Sequence, residues 1–432
     1  MTRQTADTRV ELLKVLGLGF GLAVVIGGIV GQGILRAPGI VAGALSNSTL
    51  IIAFWIAGGA LAAITAFAPV ELATSIPKAG GPYAFVGRAF GPFAGTLAGW
   101  TDWLQGMVVV AYLSVVFAEY VHRLGLLTVV PTGAVALALI AVVTAINWTG
   151  TRTCGRTQAI GSALKGLGLV VLIALLFLAP AEPTPTTNTS NPLTLAEVAI
   201  AMRLIQNTYA GWNTAVYFSE ELHSPERNIA RAVFGGIGVI TLLYVLVNAA
   251  MLHVLTPAQM AASELPAAAA LGTAFGAHAD VVVNVLALVS LAAIANLYPM
   301  YLSRIGFAMA RAGVLPDLVA RVSPTGTPRT ALLITTLCAA VLAATGSYEQ
   351  LIAIFAPLTL TIDISVNAAA IAIRRREPAL PRPFRMPLYP LPVLIGMFLN
   401  ASLLAMVVYE NPLHSLIGVG AVALVAAVYK TK

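Results

Sequence analysis

Three ionisable side chains sit where a chain this apolar has little room for charge. Lys165 lies in GSALKGLGLVV, Asp102 in GWTDWLQG and Asp363 in TIDISV, each flanked by residues that favour hydrocarbon. Charge at such depth is costly, and it marks a substrate path, a proton relay or an internal pair. The chemistry on offer is binding and proton movement, not bond cleavage. The five histidines, His122, His223, His253, His278 and His414, are dispersed, and Cys154 and Cys338 stand far apart. Neither set has the spacing of a metal site or a nucleophile with its base. No catalytic residue, metal or cofactor is expected.

A second kind of signal is backbone. Gly27–Pro38 reads GGIVGQGILRAP inside an apolar run from about Val15 to Leu45. A lipid-facing anchor has no need of so many glycines closing on a proline. Non-helical backbone at membrane depth is tolerated only where protein or a polar cavity covers it, and interrupted helices build midplane sites in many transporters. Gly27, Gly31, Gln32, Gly33 and Ile34 are therefore candidates for an unwound, substrate-binding segment. Close helix packing is the alternative use of the same glycines. A polar, glycine-bearing stretch recurs at Tyr209, Ala210, Gly211, Trp212 and Asn213, at about the same depth of another run. Trp212 and Tyr209 could wall or gate a site, or pack, and Asn213 could hydrogen-bond across helices to hold the break. Met107 and Asn296 are further lining candidates on their runs.

The elements that must position these residues follow from composition. The chain of 432 residues is 59% hydrophobic and 9% charged, with mean hydropathy +0.89, whereas soluble domains carry about a quarter charged residues. This predicts an all-α polytopic membrane protein and excludes a soluble enzyme. Apolar runs near 15–44, 50–72, 92–118, 130–148, 158–179, 198–219, 232–255, 281–310, 331–346, 349–373, 388–409 and 411–429 meet the length of about 20 residues per crossing. Twelve transmembrane helices are expected in one unit spanning 1–432. The two breaks fall in the first and sixth runs, which suggests an inverted repeat of 15–179 and 198–373, with 388–429 as two additional helices.

The net charge of +7 comes from arginines and lysines on short connections, and reads as topology rather than nucleic-acid binding. With a cytoplasmic N-terminus, one side collects Lys78, Arg88, Arg152, Arg156, Arg227, Arg231, Arg311, Arg321, Arg329 and the Arg374–Arg376 triplet, and the other keeps Arg123. Both termini are expected in the cytoplasm of a bacterial inner or plasma membrane. The 180–197 connection is expected outside, as is 256–280, which has room for a short surface helix. No signal peptide is expected. The sequence gives no sign of oligomeric state.

Several motifs in order carry a resemblance. Val30-Gly31-Gln32-Gly33-Ile34-Leu35 with Pro38, then Glu71-Leu72-Ala73, Ile76-Pro77-Lys78-Ala79-Gly80-Gly81-Pro82-Tyr83, Phe90-Gly91-Pro92 and Gly99-Trp100 form the first set. Glu220-Glu221, Pro225-Glu226-Arg227-Asn228-Ile229, Gly313-Val314-Leu315-Pro316, Gly326-Thr327-Pro328 and Arg382-Pro383-Phe384-Arg385 follow. Over nearly its full length the chain resembles the amino acid–polyamine–organocation (APC) superfamily, particularly bacterial amino acid permeases and the light-chain exchangers for neutral amino acids. The resemblance implies a five-plus-five inverted-repeat, LeuT-like fold with helices 1 and 6 broken, and secondary transport of amino acids by alternating access.

It also implies roles. Half-helix ends would hold a zwitterion: N–H groups near Gln32–Ile34 for the carboxylate, carbonyls near Gly27–Gly31 and Tyr209–Gly211 for the ammonium. Lys165 matches the helix 5 lysine standing where sodium-coupled relatives bind an ion, which implies proton coupling or exchange without sodium. A lysine snorkelling to the interface is the other reading. Glu71 matches a glutamate at the inner end of helix 2, in a structural or gating position. Arg36 departs from the family pattern, and either lines the outer vestibule or pairs with an acid such as Asp102 or Asp363, which otherwise serve as proton carriers or internal pairs. A sensor or scaffold of the same fold, or a carrier of basic or acidic analogues or polyamines, remains the alternative. The implied partners are an amino acid substrate, protons and the lipid bilayer.

Overall fold

The computed structural model describes residues 11–31, 33–180, 193–276, 280–345 and 348–410, with a few positions beyond. Gln32, the 181–192 connection and most of the twelfth expected span lie outside the described residues. Fifteen α-helices are described. In order they are α1 (Leu18–Ile29), α2 (Gly33–Leu45), α3 (Ser48–Ser75), α4 (Pro82–Phe90), α5 (Pro92–Arg123), α6 (Thr132–Thr149), α7 (Thr151–Leu178) and α8 (Leu195–Thr208). After a 3₁₀ segment, Trp212–Phe218, come α9 (Pro225–Val254), α10 (Pro257–Ala261), α11 (Pro266–Phe275), α12 (Asp280–Arg311), α13 (Arg329–Thr345), α14 (Tyr348–Arg376) and α15 (Leu391–Glu410).

Eight of these are long and apolar enough to cross a membrane, and α1 with α2, bent by 46°, count as a ninth if the pair is one span. The sixth expected run is divided between α8 and the 3₁₀ segment, and the ninth forms α13, of 17 residues. The surface connection after α9 carries two short helices, α10 and α11, where one was expected.

Local chemistry sets the boundaries. Asn47 caps α3 by accepting from the Leu50 N–H, and Thr194 with Glu197 forms a capping box that starts α8. Glu197 is held below its ordinary pKa by the backbone and side-chain bonds from Thr194 that favour its charged form. Gly91, at φ +94, turns the chain between α4 and α5 with Pro92 at the first helical position.

The long α5 and α12 are the most deeply buried spans and pack against each other, while α3 packs on α9 and α1 on α7 and α9. The broken elements α1 and Trp212–Phe218 pack against each other and against α9, while α8 packs on α2 and α3. Hydrogen bonds outside the helices fix the chain before α1. Leu16 N–H donates to Glu221 O at 3.1 Å, and His223 N–H returns to Leu16 O at 2.8 Å.

Candidate functional site

The first break opens where α1 ends at Ile29 and Val30 turns extended, φ −71 and ψ 99. Its carbonyls are not left free. Lys165, fully buried on α7, donates its ammonium to Gly27 O at 2.7 Å and Val30 O at 3.0 Å. A snorkelling lysine would reach the interface instead. The Tyr244 hydroxyl of α9 donates to Ile29 O at 3.0 Å and stands 3.4 Å from Thr208 O, so one group spans the ends of both interrupted helices. A helix C-terminus concentrates partial negative charge, and a cation there answers it.

The two breaks meet backbone to backbone. A Cβ on Gly211 would stand 2.4 Å from Gly28 O, and one on Gly28 would stand 2.6 Å from Gly211 O. Gly211 also has φ +106, a left-handed value that glycine alone adopts cheaply. Gly27 leaves no room either, because its Cβ would stand 2.3 Å from Ser162 Oγ. Gly31 approaches Ile294 of α12, and Gly33 approaches Thr208. Close packing and an unwound backbone are therefore one arrangement here. Glycine lets the strands of backbone touch, and their peptide groups take side-chain partners.

Other expected site residues are distributed differently. Tyr209 is 1% exposed and its hydroxyl donates to Trp55 O at 2.9 Å, inside a cluster of Trp55, Tyr209 and Tyr244 rings. Asn213 makes no hydrogen bond among the described residues. The hydroxyl of the neighbouring Thr214 holds the turn, donating to Gly211 O at 2.7 Å, because it lies one residue further round the 3₁₀ turn. Ala210 and Trp212 border a small cavity described below, while Ile34 and Met107 are buried in the core.

Asn296 belongs to a buried amide chain that also takes in two residues sequence reasoning passed over. Asn147 Nδ2 donates to Asn296 Oδ1 at 3.0 Å, and Asn296 Nδ2 to Gln158 Oε1 at 3.3 Å. Ser162, a turn from Gln158 on α7, donates to Ala23 O at 2.6 Å. This chain ties α6 and α12 to α7, and Ser162 carries the tie on to α1. An amide in an apolar run was the available signal.

Arg36 is exposed and makes no ion pair among the described residues, so the expected pairing with Asp102 or Asp363 is not formed. Its place past the break, on α2, separates it from both. Asp102 is fully buried and accepts from the Tyr217 hydroxyl at 2.9 Å and from Gln105 Nε2 at 3.0 Å. Asp363 borders the same cavity as Trp212.

Glu71 lies at the far end of α3, where Arg374 Nε donates to it at 2.7 Å and Met386 N–H at 2.6 Å. A second Arg374 bond, from Nη2, completes a bidentate pair. That end also holds the charged pair sequence reasoning did not foresee: Arg304 of α12 donates to both oxygens of Glu221, at 2.8 and 2.9 Å, with both side chains buried. Glu220 beside it accepts from Arg311 and from Ala79 N–H. Burial pushes the Glu220 pKa up, but the Arg311 bonds, the Ala79 N–H and nearby cations outweigh it and hold the carboxyl below its ordinary value.

Such a fold, helical and membrane-crossing with two interrupted helices joined at its centre, defines a polytopic membrane protein built around backbone rather than around catalytic side chains. The amino acid permease family model matches residues 13–427, and the chain belongs to that family, within the APC superfamily. The family is one of transporters, not enzymes. The chain is 29% identical to the mouse (Mus musculus) Asc-type amino acid transporter 1 over 394 residues, 88% of this chain and 74% of the relative. It is likewise 29% identical to the rabbit (Oryctolagus cuniculus) large neutral amino acids transporter small subunit 2 over 397 residues, 87% and 73% of the two chains. The serine/threonine exchanger SteT of Bacillus subtilis is 27% identical over 394 residues, 89% of each chain.

Proposed function

We propose that this protein carries amino acids across the cytoplasmic membrane by alternating access, as an exchanger or a proton-coupled carrier that does not use sodium. The observation that carries this reading is the Lys165 ammonium bonded to Gly27 O and Val30 O at the break. A fixed cation already occupies the carbonyl end of α1, where a bound ion would otherwise be needed to hold α1 against α7.

The same bonds alter how a substrate would be held. With Gly27 O and Val30 O engaged by Lys165, Ile29 O by Tyr244 and Gly211 O by Thr214, the substrate ammonium falls to the carbonyls of Tyr209 and Ala210. The carboxylate falls to the amide end of α2, whose N-terminal N–H groups favour anions. The relatives' names, which speak of large neutral amino acids and of serine and threonine, support a neutral amino acid as cargo. So does the exposed, unpaired position of Arg36, away from the paired ends of α1 and α8.

In this reading twelve helices form two inverted five-helix repeats, 15–179 and 198–373, with 388–429 appended, and both termini face the cytoplasm. The test is flux. Purified protein in proteoliposomes should exchange internal for external L-serine at the same rate when sodium is replaced by choline. Sodium dependence would remove the role of Lys165, and amino acid binding with no flux would make the protein a sensor.

A further inference from the structure

The second break backs onto a cavity of about 80 Å³ between α3, α8, α14 and α15, and its wall includes Trp212. Its polar lining is Thr65, Gln206, Asp363, Asn367 and Asn400. Asn400 is 4% exposed and its amide makes no hydrogen bond among the described residues. Nor does the Asp363 carboxyl, although its own backbone carbonyl accepts from Asn367. A cavity this size admits a few water molecules, and the Asn400 amide on its wall, without a protein partner among the described residues, can bond one.

Charge sharpens what that filling must be. Asp363 on α14 and Asp102 on α5 stand on packed helices, each about one turn from the Thr359–Gln105 bond that joins them, and no lysine or arginine pairs with either among the described residues. Asp102 is supplied with donors by Tyr217 and Gln105, and Gln105 in turn accepts from Thr359 of α14. Asp363 has no such donor. Two carboxylates without a countercharge in a membrane interior cannot both stay ionised.

Other charged and titratable groups stand on the helices around the pair, among them Arg203 of α8, which has an interaction of its own. From α12 come the tyrosines Tyr298 and Tyr301, the latter stacked near Tyr217. On α3 the one acid, Glu71, is bound by Arg374 and Arg382, and on α4 Arg88 is bound by Glu377. At the start of α13, Arg329 lies over Trp148. Lys165 is on α7 with its own carbonyls.

We propose that Asp363 is a proton-binding site distinct from Lys165, hydrated through the cavity with Asn400 and set beside the Asp102–Tyr217 pair. A proton added to one Asp363 oxygen gives the neutral acid, and its release restores the carboxylate. Because Trp212 forms part of the cavity wall, that change of charge acts on the second break. The coupling role rests on the transport reading above, whereas the proton site itself does not.

The experiment uses the full-length protein twice. Infrared difference spectra between acid and neutral pH should show a carboxylic-acid C=O band that D363N removes and D363E restores at a shifted position. Proteoliposomes holding a pH-sensitive dye should then report proton entry with L-serine, and D363N should lower the ratio of proton to serine flux about tenfold or more. Gel filtration of each variant separates loss of the site from loss of the fold, and D363E carries the test if D363N misfolds. Identical infrared bands in wild type and D363N would overturn the proposal, and so would an unchanged flux ratio. Loss of L-lysine binding in D363N, with no band change, would also overturn it, by showing that the carboxylate takes a cationic substrate. A titrating Asp363 band with no flux of any amino acid would instead uphold the site and sink the transport reading.

Discussion

The middle of the molecule and its arginine-rich end neutralise charge in opposite ways. In the middle, one ammonium, that of Lys165, answers the partial charges of helix ends at Gly27 O and Val30 O. At the other end, full charges answer full charges: Glu221 with Arg304, Glu220 with Arg311, and Glu71 with Arg374 and Arg382. A lysine on two carbonyls can leave or shed its proton without stranding a buried anion, whereas a buried carboxylate whose guanidinium is removed is left uncompensated. The centre is therefore built to change state and the end to hold, and substitutions in each should separate folding from flux.

The largest expected effect lies at the end. Glu221→Leu strands the Arg304 guanidinium, whose remaining acceptors are Thr151, Ser303 and Met300 O. Breaking one partner of a buried pair costs about 3–5 kcal/mol. Thermal unfolding in detergent should show a large fall in midpoint or no folded protein at all. A midpoint near that of wild type would mean that the pair is dispensable, and would dissolve the contrast.

Lys165→Met should do the reverse. It leaves two carbonyls without their donor, at about 1–3 kcal/mol each, but also removes the cost of burying an ammonium. The net change in unfolding midpoint should be smaller than for Glu221→Leu, while L-serine exchange falls below detection. Full exchange in this variant would remove the lysine from the mechanism.

Gly211→Ala probes the same region through backbone alone. The new methyl group meets Gly28 O at 2.4 Å, and φ is +106. Left-handed strain for a non-glycine residue is of order 1–3 kcal/mol. The variant should express and bind less L-serine, with exchange reduced more than stability, as measured by counterflow beside thermal unfolding. An unaltered exchange rate would show that the two breaks need not touch.

Legibility in the sequence follows the same divide. The breaks could be read because their cause is local: Gly31 and Gly33 in one run and Gly211 in another announce interrupted helices by residue type. Lys165 could be read because a charge in an apolar run is conspicuous at any distance from its partner. The ion pairs could not be paired off, since Glu71 and Arg374 are separated by 303 residues and every basic residue there equally serves topology. Tyr244 escaped for a different reason. One tyrosine in an apolar span looks like packing, and only the meeting of α1 and α8 gives its hydroxyl two helix ends to bridge. Asn213 shows the converse: a residue type suited to cross-helix bonding makes no hydrogen bond among the described residues, and the turn is closed locally by Thr214.

The smallest effect belongs to the surface of the arginine-rich end, where Arg88 Nε donates to Glu377 Oε1 at 2.9 Å with both side chains about a third exposed. Glu377 is held below its ordinary pKa, chiefly by the hydrogen bond from Arg88, with burial opposing it. Because the folded value is depressed, the stabilisation is complete above the unfolded carboxylate range and is lost as pH falls through the folded value. Solvent and salt screen an exposed pair, so Arg88→Ala should cost no more than about 1 kcal/mol near neutrality. The midpoint difference between Arg88→Ala and wild type should shrink in high salt and vanish in acid. A difference that persisted in acid would place Arg88 among the buried, holding pairs and extend the rigid end of the molecule out to its surface.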